Sequence, residues 1–457
     1  MTKSYTINQS KEWTGKEVTL KGWVYNKRGS GALVFLQVRD GTGFIQATAV
    51  KSELDEKIFA LAKDITLESS VIITGVCKEE KRAPGGYEIG VQDIKLVKRS
   101  EEYPIGKKEH GPDFLLSYRH LWLRSKRQWA IQRIRNEIIY AIYEHFRNEG
   151  FIKIDSPILT PNACEGTTTL FPVPYLPDWK DIDGENWKSE MAKHLGKKDK
   201  ELPFCYLSQS GQLYLEAAIM AHRRVFDFGP TFRAEKSKTR RHLTEFWMMD
   251  AEAAFVEHQE NMKIQEGLIV AIVERVLKNC VKELEMIERN TEPLKPVLKG
   301  DFKIISHQEA VAIIKKEGQL IGERDDFGAE HETILSQKFD RPFFVEKFPK
   351  EVKAFYMKED PDDDSRVMNA DMLASEGYGE IIGGSQREDD YETLLGRMKA
   401  LNMPLEDFQW YLDLRKYGSV PHSGFGIGLE RIIAWVCKLD HVRETIPFPR
   451  MMERYRP

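Results

Sequence analysis

Short runs with apolar residues at every second position dominate the first hundred residues. Within 17–25, Val18, Leu20, Gly22 and Val24 share one face. Within 32–39, Val34, Leu36 and Val38 point inward, while Leu33, Phe35, Gln37 and Arg39 point outward. Asp40-Gly41-Thr42-Gly43 is a hairpin turn signal ahead of a third strand over 44–50. Runs over 71–76 and 87–97 add two more strands, parted by Pro84-Gly85-Gly86. Five short strands of this kind predict a small β-barrel of the oligonucleotide-binding (OB) type over residues 1–100.

Residues 101–118 are polar, carry Pro104 and Pro112, and read as a linker. The period then changes. Ile131, Ile134, Ile138, Ile142 and Phe146 fall on one helical face, and Gly150 stops that helix. Residues 152–159 read as extended and carry Pro157. A charged stretch at 178–201, within a segment of about 172–203, reads as a surface insertion. Beyond Phe204, strands and helices alternate without a regular βαβ rhythm. The expectation for 119–457 is a mixed, mainly antiparallel sheet flanked by helices, so the whole chain is α+β with two domains.

Composition narrows the class. The 457 residues are 41% hydrophobic and 31% charged, as in a folded protein with a substantial core. No run approaches the roughly 18 apolar residues of a membrane span, and residues 1–10 are polar. Cys77, Cys164, Cys205, Cys280 and Cys437 are scattered without a Cys-x-x-Cys pair, which suits a reducing cytoplasm and no membrane. A net charge of −4 argues against non-specific coating of nucleic acid but leaves a specific RNA partner open.

Candidate chemistry is densest in residues 229–252, GPTFRAEKSKTRRHLTEFWMMDAE. Arg233 and Glu235, two apart, face one side of a strand. Arg240, Arg241 and His242 follow in a turn, with Glu245, Phe246 and Asp250 on the returning strand. Such a hairpin offers cations for phosphates, a flat ring for a base and carboxylates for amines; taken alone, it could equally be a solvated charged hairpin. In residues 424–433, GFGIGLERII, glycines permit close approach of backbone to a ligand and Arg431 heads an apolar helical run. A phosphate, a stacked base or an acidic neighbour would each satisfy that arginine. In residues 379–387, GEIIGGSQR, Glu380 could hold magnesium and Arg387 could clamp a small ligand, or the stretch is an ordinary strand and turn. No P-loop is present.

In order, spacing and residues these stretches resemble the catalytic motifs of class II aminoacyl-tRNA synthetases of the aspartate, asparagine and lysine subgroup. FRAE with RHLTEF is similar to motif 2, GFGIGLER to motif 3, and GFIKIDSP at 150–157 to motif 1, the usual dimer segment. GWVYNKR and FLQVRDGTGFIQ resemble that subgroup's anticodon-binding barrel, so the resemblance covers nearly the whole chain. It implies a ligase with ATP as a substrate, Mg2+ as cofactor, tRNA as partner and a homodimeric state. It implies that Arg233 binds the α-phosphate and the attacking carboxylate, and that Glu235 accepts from the adenine amino group. Phe246 and Arg431 would sandwich the adenine, Arg241 and His242 would reach the outer phosphates, Gly428 would border the ATP, and Glu380 would ligate the metal. The serine that serves as a second metal ligand in archaeal-type aspartyl enzymes is Gly383 here, which puts that ligand in doubt. Glu165, in a mobile loop, would read the substrate ammonium, with Ser210 and Gln212 on the amino-acid strand. In the barrel, Phe35 would stack on an anticodon base, Gln46 would read the central uridine and Arg28 would help hold the loop, beside the outward Arg39. Lys107 and Lys108 could touch the tRNA backbone.

Within the subgroup the choice between aspartate and asparagine turns on charge, because the two are nearly isosteric. Aspartyl enzymes carry a Gln-Ser-Pro-Gln-Leu-Tyr-Lys pattern; here the stretch reads QSGQLYLE, with Gly211 for the proline and Leu215 for the lysine. A second substrate carboxylate would have Arg387 as its only counter-charge, whereas an amide needs one donor and one acceptor. Arg387 supplies the donor and Glu245 is the expected acceptor. YGSVPHSGFGIGLER and GEIIGGSQRE also resemble the asparaginyl branch. Asparagine and tRNA(Asn) are therefore the expected substrates, with aspartate charging or an asparagine-synthesising relative as the alternatives; the latter would lack the barrel.

Overall fold

The computed structural model describes residues 5–106, 108–161, 164, 170–174, 204–234 and 239–456. Glu165, Glu235, Lys107 and all but the Pro172–Pro174 strand of the expected insertion lie outside the described residues. The chain divides into two compact units, Met1–Pro112 and Asp113–Pro457.

In the first unit β1 (Glu17–Ser30), β2 (Leu33–Arg39), β3 (Phe44–Val50), β4 (Ser70–Glu79) and β5 (Tyr87–Lys98) close a barrel in the order β1-β2-β3-β5-β4. The β3–β5 pair is parallel and the others antiparallel. The alternation predicted from the sequence sets the interior: Leu20, Val24, Leu36, Val38, Ile73 and Ile89 are fully buried. The helix α1 (Glu56–Asp64), not anticipated, starts at Asp55, whose carboxylate accepts from the Lys57 amide, and it packs Phe59 and Ala62 against the barrel core. Arg39 departs from the outward reading. Its guanidinium is buried, donates twice to the Glu68 carboxylate at 2.5 and 2.6 Å and lies 5.6 Å from the Trp23 ring centroid. An arginine removed from water needs such a paired carboxylate, so the Arg39 charge is engaged by Glu68 rather than offered to solvent.

The second unit is built on an eight-stranded sheet. Its strands run Ile304–Ser306, Phe343–Glu346, Asn369–Ala374, Gly379–Gln386, His422–Gly428, Glu245–Ala254, Arg224–Phe232 and Ile152–Lys153 in spatial order. Only the two edge pairings are parallel, so the sheet is mixed and mainly antiparallel, as the texture predicted. The helix Lys126–Asn148 begins where the Ser125 hydroxyl accepts from the Gln128 amide, and Gly150, at φ +76°, takes the left-handed turn that ends it. Ile131, Ile134, Ile138, Ile142 and Phe146 bury its apolar stripe. That stripe forms one core with helices His258–Asn279 and Leu429–Cys437 and with Met249, Ala251, Ala253, Phe425 and Ile427 of the sheet. Because strand residues alternate, Met248, Asp250, Gly426 and Gly428 point the other way, into a cavity. One face of the sheet carries the core, the other the chemistry.

Candidate active site

The cavity has a volume of about 1140 Å³. At one end it is lined by Arg233, Arg241, His242, Phe246, Glu380, Gly428 and Arg431; at the other by Ser210, Gln212 and Arg387. Three stretches distant in sequence thus meet because the hairpin of Arg224–Phe232 with Glu245–Ala254 and the strands His422–Gly428 and Gly379–Gln386 are neighbours in the sheet, while Ser210 and Gln212 come from the start of helix Gln212–His222.

At the first end Phe246 presents its ring beside Arg233, whose guanidinium carbon lies 5.5 Å from the ring centroid. Arg431, in the first turn of helix Leu429–Cys437, keeps its head in the cavity while Ile432, Ile433 and Trp435 are fully buried. It donates to the Glu380 carboxylate at 2.8 Å and to the Glu380 carbonyl at 3.1 Å. The acidic partner open from sequence is therefore another member of the same site. Arg241 donates to Glu332 at 2.7 Å, to the Thr333 hydroxyl at 2.6 Å and to the Gly377 carbonyl at 2.9 Å. Glu332, from helix Ala329–Ser336, also accepts from the Glu380 amide at 3.1 Å. Burial, and then the neighbouring Glu380, push the Glu332 carboxyl upward. Sequence reasoning missed Glu332, which sits in no recognisable motif.

Asp371 was missed as well. It lies opposite Gly383 in the ladder of Asn369–Ala374 with Gly379–Gln386. A Cβ added at Gly383 would lie 3.0 Å from Glu380 Oε1 and 3.9 Å from Asp371 Oδ1, so two hard carboxylate oxygens converge where Gly383 leaves space. Lys353 donates to Asp371 at 2.8 Å and stands 3.9 Å from the Phe348 ring centroid. Burial pushes the Asp371 carboxyl up, against the pull of Lys353. Among the described residues no group of three potential metal ligands occurs. Two carboxylates and open space suit an ion such as Mg2+ that keeps several waters.

At the second end the acid that lines the cavity is Asp250. It is buried and accepts from the Ser210 hydroxyl at 2.9 Å and the Gly211 amide at 2.8 Å, both on Oδ2. A proline at 211 has no amide hydrogen to give, so the departure from the aspartyl pattern at this position supplies a bond to Asp250. Burial pushes the Asp250 carboxyl up to about 6, against the Gly211 and Ser210 bonds. The expected acceptor Glu245 does not line the cavity. It occupies an odd position of its strand, opposite in parity to Phe246, Met248 and Asp250, and its backbone pairs with that of Arg450. Leu215 likewise turns away, into an apolar cluster with Ile219, Val225 and Ala254. Arg387 donates to the Ser385 hydroxyl at 2.6 Å and is held by Glu252, at 2.5 Å through Nη2. Burial works against the charge on Arg387 and the Glu252 contact preserves it, while burial raises Glu252 and Arg387 draws it back down.

In the barrel, Arg28 and Phe35 face each other across β1 and β2, with the guanidinium carbon 5.1 Å from the ring centroid. Arg28 donates to Gln46 Oε1 at 3.0 Å, and Gln46 Nε2 donates to Glu88 at 3.0 Å. The three residues expected to meet an anticodon thus form one cluster, completed by Glu88, which accepts from Thr48 as well.

A mainly antiparallel sheet whose ligand face carries a motif-2 hairpin and a glycine strand leading into an arginine-headed helix defines a class of protein. Residues 111–452 match the family model for tRNA synthetases class II (D, K and N), and residues 18–97 match the OB-fold nucleic acid binding domain. The chain belongs to the class II tRNA synthetases of the D, K and N group. Within that group it is similar to the asparagine–tRNA ligase of Desulforamulus reducens, 52% identical over 97% of each chain, and to that of Thermus thermophilus, 50% identical over 99% of each. The crystal structure of asparaginyl-tRNA synthetase from Pyrococcus horikoshii complexed with asparaginyl-adenylate superimposes with a TM-score of 0.90 at 44% identity, over 100% of both chains.

Proposed function

We infer that the chain joins L-asparagine to tRNA(Asn) at the expense of ATP. The asparagine carboxylate attacks the α-phosphorus and pyrophosphate leaves; a terminal ribose hydroxyl of the tRNA then takes the aminoacyl group and AMP leaves. The observation that carries the choice of amino acid is that the cavity is lined by both a buried cation, Arg387, and a buried acid, Asp250. Arg387 donates to the side-chain carbonyl and Asp250 Oδ1 accepts from the side-chain NH2. A substrate carboxylate in the same place would face Asp250 with like charge, and unmatched buried groups make rejection steep.

The residues at the other end divide the work on ATP. Phe246 and Arg431 hold the adenine between a ring and a cation. Arg233, beside Phe246, stabilises charge on the α-phosphate as the carboxylate attacks, a matter of positioning and fixed charge without a covalent intermediate on the protein. Arg241 and His242 take the outer phosphates, which requires Arg241 to exchange Glu332 for phosphate. Glu380 and Asp371 would hold Mg2+, with Asp371 taking the place of the ligand missing at Gly383; the ion offsets the charge of the leaving pyrophosphate. Barrel residues Phe35, Arg28 and Gln46 read the anticodon. Exposed Tyr140, Ile152, Ile158 and Leu159, around the motif-1 segment, support a homodimer through that edge. The five cysteines are buried and in no disulfide, which suits a reducing cytoplasm, and no helix among the described residues is long and apolar enough to cross a membrane.

The test is aminoacylation with ATP and magnesium, supplying asparagine or aspartate with tRNA of each anticodon. Charging confined to asparagine and tRNA(Asn) is expected. Charging with aspartate would overturn the role given to Asp250.

A further inference from the structure

Behind Arg387 the floor of the cavity continues into charged side chains with almost no exposure to solvent. Glu216, on helix Gln212–His222, is fully buried and meets polar groups from four directions. Its carboxylate accepts from Gln212 Nε2 at 3.1 Å, from the Tyr411 hydroxyl at 2.8 Å and from Arg415 at 2.6 Å, and it faces His422 Nε2 at 3.1 Å. His422 Nδ1 lies 2.7 Å from the Val420 carbonyl, so both ring nitrogens confront oxygen acceptors. Arg415 is held further by the Glu388 carbonyl at 2.9 Å. Beside this group stand Arg387 and its partner Glu252. Two arginines and a histidine are thus set against two buried carboxylates, in a region where charges act over longer distances than in water.

None of these side chains except Arg387 and Gln212 lines the cavity, so Glu216 acts on a bound ligand only through its field and through Arg387. Its effect is strong enough to be felt there. Burial would raise the Glu216 carboxyl, yet Arg415, His422 and Arg387 together hold it below the usual range. By reciprocity Glu216 lowers the positive potential that Arg387 presents to the substrate.

We propose that Glu216 is a specificity-determining residue: it favours asparagine over aspartate from behind Arg387 by removing one unit of positive charge from the floor of the side-chain pocket. The proposal rests on the reading that the cavity takes asparagine. Glu216→Gln keeps the shape and leaves Arg415 without its counter-charge, so the pocket becomes more attractive to a substrate carboxylate. Arg415→Met has the opposite effect, and the double variant returns the floor to its original total charge.

The experiment is ATP–pyrophosphate exchange by the full chain with asparagine and with aspartate, for the unmodified protein and the three variants, with circular dichroism to report folding. Glu216→Gln should lower the asparagine-to-aspartate ratio of kcat/KM on the order of tenfold, chiefly through a lower KM for aspartate. Arg415→Met alone should raise the ratio, and the double variant should restore it. Parallel loss of both activities with an unchanged ratio, in either single variant that folds, would overturn the proposal and mark Glu216 as structural. Preference of the unmodified protein for aspartate would sink the substrate reading itself, and the proposal with it.

Discussion

Asp250→Asn separates recognition of the side chain from integrity of the site. Both anchoring bonds of Asp250, from the Ser210 hydroxyl and the Gly211 amide, fall on Oδ2. An asparagine that places its own carbonyl oxygen there keeps both, so the backbone at 210–211 and the strand Glu245–Ala254 should hold. What changes is the atom directed at the ligand: Oδ1, an acceptor, becomes an NH2 donor. The side-chain NH2 of bound asparagine then meets another donor, leaving one unpaired buried group on each side. At about 1–3 kcal/mol apiece this sums to ~2–6 kcal/mol, or a fall in kcat/KM for asparagine of roughly 30-fold to 10⁴-fold. Aspartate, whose carboxylate can accept from both the introduced amide and Arg387, should gain activity. Pyrophosphate exchange with each amino acid reads both effects. Unchanged asparagine activity in a folded Asp250→Asn protein would refute the assignment of Asp250, and with it the claim that strand parity, rather than proximity in sequence, selects the acid.

The pH dependence follows from the same group. Burial raises Asp250 to about 6, so the accepting carboxylate is lost below that pH, and asparagine kcat/KM should fall roughly tenfold per unit there; the Asp250→Asn protein should lack this limb. Since the raised value lies above the ~3.9 of an unfolded aspartate, Asp250 contributes a loss of folding stability as pH rises through the interval between the two, measurable by denaturant titration at pH 4 and 7. Phe35→Ala should leave asparagine activation intact and raise the KM for tRNA about 5- to 150-fold, the worth of one stacked base at ~1–3 kcal/mol; equal KM values would remove Phe35 from the anticodon site. Phe146, fully buried and stacked on Phe226 at 4.9 Å between centroids, should cost about 3–5 kcal/mol when cut to alanine, seen as a lower unfolding midpoint of the catalytic unit.

Much of this architecture was legible where a local period governs structure. The barrel strands were readable because alternation fixes which face is buried, and the ends of β3 agree to the residue. Helix α1 was hidden because nine residues between strands give too short a stripe to separate from a loop. The antiparallel character of the large sheet showed as texture, but its strand order depends on the pairing of Glu245–Ala254 with His422–Gly428, across more than a hundred residues, which no local pattern encodes. The site divides similarly. Arg233, Phe246, Glu380, Arg387 and Arg431 belong to compact motifs and meet in one cavity. Asp371 and Glu332 belong to none, and enter because the ladder and a short helix carry them there. The error over Glu245 was avoidable: Phe246 and Asp250 share parity on one strand, and Glu245 does not. Arg39 misled because alternation places a residue on a face without saying whether a carboxylate such as Glu68 waits there.

The glycines of GFGIG carry a different meaning in the folded chain from the one their abundance suggested. In the ladder Gly424 stands opposite Glu252 and Gly426 opposite Asp250. A Cβ at 424 would lie 2.1 Å from the Glu252 carboxyl carbon, and one at 426 would lie 2.8 Å from Asp250 Oδ1. The space they leave is occupied by the acids of the adjacent strand. Two strands therefore share a single allotment of volume, and neither can change alone: an alanine at 424 evicts Glu252 and releases Arg387, while a longer acid at 250 is accommodated only toward the substrate. Substitutions at 250 and 252 and at 424 and 426 should be inherited as linked pairs, and an engineer who alters amino-acid choice through one strand will have to re-cut the other.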